Sequence, residues 1–286
     1  MVSFPNAKIN IGLHITERRS DGFHNIESCF VPVGWSDVLE IIPAQKLDFS
    51  SSGISIPGDI STNLCVKAYE LLRKDFDLPP VQIHLHKVVP IGAGLGGGSA
   101  DAAFTLKLLN EIGDLGLGTE DLENYARKLG SDCAFFIQNR PIFCYDKGDQ
   151  FKDIEFYLPE SLKLSGRFPE NSINSFNTLF IVLVYPNLHI STAEAYSGVR
   201  PEKRSANFSE ILQQKPNFWC NDIKNDFEAH LFVKYPVLGQ IKSQLYEQGA
   251  AYASMTGSGS TVYGIFEKPV DLTEYFENYL IWQGNL

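Results

Sequence analysis

Val89-Pro-Ile-Gly-Ala-Gly-Leu-Gly-Gly-Gly-Ser-Ala-Asp-Ala-Ala103 stands between an alternating, strand-like segment and an apolar segment of helical spacing. It reads as an anion-binding loop. Gly92, Gly94, Gly96, Gly97 and Gly98 let the backbone take positive φ and approach a ligand without Cβ clashes, so consecutive N–H groups can point at one phosphate chain. Ser99 and Ala100 then open a helix predicted over 99–112, with Ser99 a candidate N-cap. A helix N-terminus adds unpaired N–H donors and an effective charge of about +0.5, which favours a bound polyphosphate.

Three familiar phosphate loops fail here. The Walker pattern needs Lys-Ser/Thr directly after its last glycine, and here Gly98 is followed by Ser99-Ala100. Gly92, Gly94 and Gly97 satisfy G-x-G-x-x-G, but Pro90 separates them from the strand and no N-terminal βαβ unit surrounds them. A protein-kinase loop should come with H-R-D and D-F-G downstream, and neither tripeptide occurs. A flexible Gly/Ser linker seldom joins a strong strand directly to a strong helix.

Composition narrows the class. A length of 286 residues suggests one large or two ordinary domains, and 44% hydrophobic content can fill their cores. With 24 Lys+Arg against 34 Asp+Glu the net charge is −10, which argues against a nucleic-acid or anionic-membrane surface and for a small-molecule partner. Cys29, Cys65, Cys133, Cys144 and Cys220 are scattered and odd in number, so neither a disulfide framework nor a zinc site is indicated and a reduced, cytoplasmic setting is expected. The N-terminus lacks the basic-then-apolar pattern of a leader, and no run of about 18 apolar residues occurs.

Around the loop, 8–16 and 81–87 alternate polar and apolar residues as half-buried strands do. Helices are predicted over 62–74 and 119–128, the latter ended by Gly130. Residues 160–172 lose periodicity and gain turn formers, which places a domain junction just before or within them. Beyond it come a buried strand over 179–184, helices over 192–199, 222–233 and 237–248, and strands over 252–255 and 262–266 that bracket Thr256-Gly-Ser-Gly-Ser260. Periodicity alone gives a two-layer mixed α/β protein.

The pattern Pro-x-x-x-Gly-Leu-Gly-x-x-Ser-Ala over Pro90 to Ala100 resembles the phosphate loop of the GHMP kinases, the galactose, homoserine, mevalonate and phosphomevalonate kinase superfamily. Asn6-Ala-Lys-Ile-Asn-Ile-Gly-Leu13, Asp21-Gly-Phe-His24, Leu129-Gly-Ser-Asp132 and Ala253-Ser-Met-Thr-Gly-Ser-Gly-Ser260 follow in the order of the superfamily branch whose acceptor carries a cytidine diphosphate. The likeness runs over about 3–267 and is least clear over 155–220. It implies an α+β, two-domain fold: an S5-like N-terminal ATP-binding domain over 1–155 and a ferredoxin-like C-terminal, substrate-side domain over 156–286, with the active site in the cleft between. Whether the last residues pack back on the N-terminal domain stays open.

The same resemblance implies ATP-dependent phosphorylation of the 2-hydroxyl of 4-diphosphocytidyl-2-C-methyl-D-erythritol, on the non-mevalonate route to isoprenoid precursors. Asp132 would orient the hydroxyl and accept its proton, and Lys8 would keep that carboxylate ionised. Pro90, Gly92, Gly94, Leu95, Gly96, Gly97, Gly98, Ser99 and Ala100 would cradle ATP. Mg²⁺ would be held by no protein group alone, with Ser99 a candidate ligand. Asn10, Phe23, His24, Thr192, Tyr196, Gly257 and Ser258 would contact the cytidine diphosphate substrate. Here Tyr196 stacks on the base, His24 reads its edge, and Phe23 replaces the family's tyrosine, keeping an aromatic face without a hydroxyl. A monomer or weak homodimer is expected.

Each motif also has a bland reading: capping or a turn for Asp132, a strand-edge charge for Lys8, an ordinary hairpin for Thr256–Ser260, core for Tyr196 and a turn for His24. Two other functions stay open, a homoserine or mevalonate type kinase and a non-catalytic nucleotide-binding module on the same fold.

Overall fold

The alternation over Val81–Lys87 becomes a strand in which Val81, Ile83, Leu85 and Lys87 are buried while Gln82 and His86 face out. This computed structural model describes residues 1–155, 157, 179–203 and 207–286; the junction expected over 160–172 lies outside them. The strands are β1 (Val2–Ser3), β2 (Asn6–Arg18), β3 (His24–Ser36), β4 (Val38–Pro43), β5 (Asp48–Gly53), β6 (Val81–Lys87), β7 (Ile142–Tyr145), β8 (Gln150–Lys152), β9 (Phe180–Tyr185), β10 (Tyr252–Met255), β11 (Val262–Phe266) and β12 (Leu280–Asn285). The helices are α1 (Leu64–Arg73), α2 (Gly97–Ile112), α3 (Thr119–Leu129), α4 (Phe135–Gln138), α5 (Thr192–Ser197), α6 (Phe208–Leu212), α7 (Pro216–Trp219), α8 (Glu228–Lys234) and α9 (Pro236–Glu247).

The chain forms two compact units that do not follow chain order. The first comprises Met1–Lys8, Trp35–Ile91 and Leu95–Arg140, and the second Ile9–Gly34, Gly92–Gly94 and Pro141–Leu286. In the first, the sheet runs β1-β4-β6-β5, with β5 parallel to β6 and the other pairs antiparallel. α2 packs against α1, α3, α4 and β4. Its buried face, from Ala100 through Leu109, adds to a core holding Leu39, Ile41, Tyr69, Leu72, Ile83 and Leu85. α1 begins two residues later than its periodicity suggests, because Asn63 accepts a hydrogen bond from Cys65 N at 2.9 Å and so caps the helix.

The second unit holds the antiparallel sheet β10-β11-β9-β12 and most of the sheet β2-β3-β7-β8. Its core joins Leu13, Ile15 and Ile26 to Val182, Val184, Leu231, Leu238, Ile241, Met255 and Val262. The last residues, whose packing the sequence leaves open, form β12 on β9, from Leu280↔Tyr185 to Asn285↔Phe180. The helix expected over 222–233 starts only at Glu228. Asn225 stops it earlier: its Nδ2 donates to Met255 O at 2.7 Å and Gly257 O at 2.8 Å, and its Oδ1 accepts from Phe227 N at 3.0 Å. A side chain that satisfies backbone groups in a turn competes with helix formation.

Candidate active site

Every residue of β2 from Ala7 to Ile15 is buried, so Lys8 enters the first unit with its side chain only 3% exposed. An ammonium so placed needs a counter-charge. It finds one in Asp132, whose Oδ2 lies 3.3 Å from Lys8 Nζ and whose side chain is 33% exposed. Asp132 sits in the turn between α3 and α4, so its carboxylate meets the buried cation on one side and solvent on the other. Lys8 N donates to Leu95 O at 2.9 Å, which ties this strand to the glycine loop. Gly96, with φ +69°, passes so close that a Cβ there would lie 3.2 Å from Lys8 Cε and 3.1 Å from Phe136 Cζ.

Gly96 is also the N-cap of α2, in the left-handed conformation and with no side-chain cap. The helix therefore begins at Gly97, two residues before its expected start. This corrects the reading of Ser99 as a cap, since it is the third helical residue. Ala100 N makes the first intrahelical bond, to Gly96 O at 2.9 Å. The N–H groups of Gly97, Gly98 and Ser99 thus have no intrahelical acceptor, and a helix end of this kind suits an anion. The first unit thereby brings together Lys8, Leu95 to Ala100 and Asp132, with Pro90 buried in the approach to the loop.

The other half of the loop belongs to the second unit. Ala93 O accepts from Thr261 N at 3.2 Å, and Gly94 O accepts from Thr256 Oγ1 at 3.1 Å. Gly94 has φ +78°, and a Cβ there would stand 2.1 Å from Thr256 O, so the turn at Thr256–Ser260 admits no side chain at this position. Gly257 faces Gly94, and Ser258 is half-buried beside it. Asn10 is buried at 1% exposure. Its N–H donates to Thr256 Oγ1 at 3.0 Å and its Nδ2 to Ser28 Oγ at 2.9 Å, so it holds β2 to the turn.

A third group of site candidates is aromatic and also lies in the second unit. His24, the first residue of β3, stacks on Tyr196 of α5 with ring centroids 4.5 Å apart and planes at 19°. Tyr196 in turn meets Phe227 edge-on at 4.9 Å. The two rings given separate roles by sequence therefore lie face to face. Phe23 is 58% exposed, and Lys147 Nζ lies 5.6 Å from its ring centroid. Arg19 braces the turn by bonding Asp21, Asn25 Oδ1 and Asp146. Burial, assisted by Arg18, holds the His24 imidazole below its ordinary range, which favours the neutral ring. Thr192 is exposed at the first position of α5.

Sequence reading missed Asn225, which braces the Thr256–Ser260 turn, and a buried trio of Asp37, Lys87 and Asp101. The signal for Lys87 was present. It occupies the inward phase of an otherwise apolar alternation. Among the described residues, no cluster of three or more His, Cys, Asp or Glu could hold a metal ion, and no helix is long and apolar enough to cross a membrane.

Family models for the GHMP kinases N terminal domain and GHMP kinases C terminal match residues 63–140 and 204–277. A crystal structure of homoserine kinase from Cytophaga hutchinsonii shares the fold, with a TM-score of 0.67 at 13% identity over 98% of this chain and 93% of that one. Fold and loop thus define a GHMP kinase, an ATP-dependent phosphotransferase. The sequence is 50% identical over 279 residues to 4-diphosphocytidyl-2-C-methyl-D-erythritol kinase of Cytophaga hutchinsonii, covering 97% of each chain. It is 46% identical over 291 residues to the enzyme of that name from Bacteroides fragilis, covering 100% of each. A crystal structure of 4-(cytidine 5'-diphospho)-2C-methyl-D-erythritol kinase superposes with a TM-score of 0.78 at 26% identity, covering 100% of this chain and 98% of that one. The chain belongs to the 4-diphosphocytidyl-2-C-methyl-D-erythritol kinase family of the GHMP kinases.

Proposed function

We propose that the protein transfers the γ-phosphoryl group of ATP to the 2-hydroxyl of 4-diphosphocytidyl-2-C-methyl-D-erythritol. Support at the level of chemistry comes from one observation above all, the 3.3 Å pairing of buried Lys8 with half-buried Asp132 beneath a glycine loop. Phosphoryl transfer asks a protein for a cradle, for neutralisation of developing charge and for alignment of the acceptor. The amides of Gly97, Gly98 and Ser99 form the cradle. Asp132 holds the acceptor hydroxyl and takes its proton as the oxygen bonds to phosphorus and ADP leaves. Lys8, 3.3 Å from Asp132 Oδ2, holds that carboxylate in place and offsets negative charge during the transfer.

Mg²⁺ suits this donor set only as a passenger of the nucleotide. Such an ion keeps several waters and binds chiefly through substrate phosphates, and the Ser99 hydroxyl at the third position of α2 is the protein group to complete its shell. When bound it neutralises phosphate charge. Phe23, His24 and Tyr196 supply the π surface for the cytosine, and neutral His24 offers the donor and acceptor that read its edge. Thr192, Ser258 and Gly257 complete the acceptor side, and Asn10 acts by holding the turn. We place the ATP-binding domain over 1–155 and the substrate-side domain over 156–286, and we expect a cytoplasmic monomer or weak homodimer that binds no nucleic acid.

The test is mass spectrometry of products after incubation with ATP, Mg²⁺ and a panel of alcohols: the cytidine diphosphate acceptor, its uridine analogue, free methylerythritol, homoserine and mevalonate. A phosphorylated cytidine acceptor as the dominant product is expected. Turnover of homoserine or mevalonate in its place, or no ATP consumption with any acceptor, refutes the reading.

A further inference from the structure

Behind the glycine loop the first unit buries three charges in contact. Lys87, the last residue of β6, places Nζ 2.5 Å from Asp37 Oδ2 and 2.7 Å from Asp101 Oδ2. The side chains are 3%, 0% and 4% exposed. Asp37, the single residue between β3 and β4, turns its other oxygen to Val88 N at 2.6 Å and Val89 N at 2.8 Å, and its own N–H donates to Pro5 O at 2.9 Å. Asp101 lies one turn into α2, and its Oδ1 has no hydrogen-bond partner among the described residues. A Cβ on Gly97 would come within 2.9 Å of Lys87 Nζ, so the ammonium rests against the first residue of the helix.

Stability alone does not call for this arrangement, because apolar side chains of similar volume often serve a core as well as or better than a buried ion group. Its placement along the chain suggests another task. Residues 87 and 101 are the two stems of the loop, and Asp37 grips the amides of 88 and 89 from the same point. The loop between them contains three glycines at positive φ, Gly92, Gly94 and Gly96. Such residues carry the largest backbone freedom, which must be removed before several N–H groups can converge on one anion. Charge-assisted bonds are short and directional, and so can hold a distance where apolar packing only fills a space.

We propose that Asp101, acting through Lys87 and Asp37, is a positioning residue that staples the two stems of the phosphate loop and so sets the aim of the Gly97–Ser99 amides; this rests on the reading of that loop as the ATP site. Two carboxylates against one ammonium would leave an excess negative charge behind an anion site. Burial and the neighbouring Asp37 push the Asp101 carboxyl up to about 7, against the opposing pull of Lys87. Protonation of Asp101 therefore relieves part of that excess near neutrality. An asparagine, neutral and still able to accept from Lys87, is accordingly the conservative replacement.

The experiment compares Asp101→Ala, Asp101→Asn and the wild type for ADP affinity by titration calorimetry and for KM of ATP, KM of the cytidine acceptor and kcat. Asp101→Ala is expected to weaken ADP and raise the KM of ATP by roughly tenfold each, while kcat at saturation and the acceptor KM stay within about threefold. Asp101→Asn is expected to restore ADP affinity to within about threefold of wild type. Wild-type ADP affinity in folded Asp101→Ala overturns the inference, as does a loss spread evenly over ATP, acceptor and kcat. Should Asp101→Ala not fold, Asp37→Asn/Lys87→Met/Asp101→Leu removes the staple without leaving a buried charge unpaired, and the amide oxygen at position 37 can still accept from Val88 N and Val89 N. The same tenfold loss is expected there, and unchanged ADP binding overturns the proposal. A wild-type protein that binds no ADP refutes instead the reading of the loop as the ATP site, and the inference falls with it.

Discussion

Around the glycine loop the first unit buries its cations: Lys8 and Lys87 are each 3% exposed, Asp132 pairs with the first, and Asp37 and Asp101 pair with the second. The aromatic group of the second unit is built in the opposite way. Phe23 is largely exposed, His24 and Tyr196 are half-buried, and the ion pair that braces their turn, Arg19 with Asp21, stands near the surface. Under the proposed function the contrast follows from what each partner demands. A transferring phosphoryl group gains most from fixed charges and amides in a medium of low dielectric, where they need not reorganise. A base offers two π faces and a hydrogen-bonding edge, and stacking tolerates a mobile, wetter surface. Preorganisation is therefore concentrated where charge develops.

The comparison breaks most visibly at the carboxylate. Asp132→Asn should lower kcat by about 10²–10⁴ with ADP affinity nearly unchanged, as measured by steady-state kinetics and calorimetry; wild-type turnover would mean that the buried pair is structural. Next in size is base discrimination. A site that hydrogen-bonds cytosine leaves buried groups mismatched against uracil, so the uridine analogue should show kcat/KM lower by at least about 10²-fold. Comparable turnover of the two would leave the aromatic group without a reading role. Tyr196→Ala should weaken both acceptors together by roughly 1–3 kcal/mol, read from their KM values.

A smaller effect sharpens the phosphate side. Gly96→Val places a branched side chain at φ +69° against Lys8 and Phe136, and should raise the KM of ATP by roughly tenfold, with acceptor KM as the control. The smallest concerns pH. His24 is held below its ordinary range by burial and by Arg18, so the folded ring stays neutral as pH falls past the ordinary histidine value and gains its proton only lower. The acceptor KM should then rise on the acid side in the wild type and not in His24→Ala. In the same window the unfolded chain binds the proton first, so this group subtracts stability as pH falls. A thermal-denaturation series over that range should show the loss, and a stability that rose on acidification would reverse the sign of the argument.

Much of the architecture is determined by local pattern. β6, β10 and β11 have the bounds that alternation and apolar runs predict, because strand phase and turn residues act over a few neighbours. α2 differs only at its start, where the left-handed Gly96 caps the helix and the glycines that follow it are already helical. The glycine loop is legible for the same reason. Positive φ and close approach are properties of single residues.

What tertiary structure alone decides is which distant charges and amides meet. Lys87 and Asp37 are 50 residues apart, and Asn10 and Thr256 are 246 apart. Nothing in the surroundings of Asp37 in the sequence marks it for burial. An isolated buried charge is too costly to persist, so its partner must be supplied by folding, and the identity of that partner is a long-range fact. Asn225 teaches the same lesson in reverse. Its neighbours carry helical spacing, yet its side chain satisfies Met255 O and Gly257 O, and that contact, invisible in any local window, halts the helix and braces the turn.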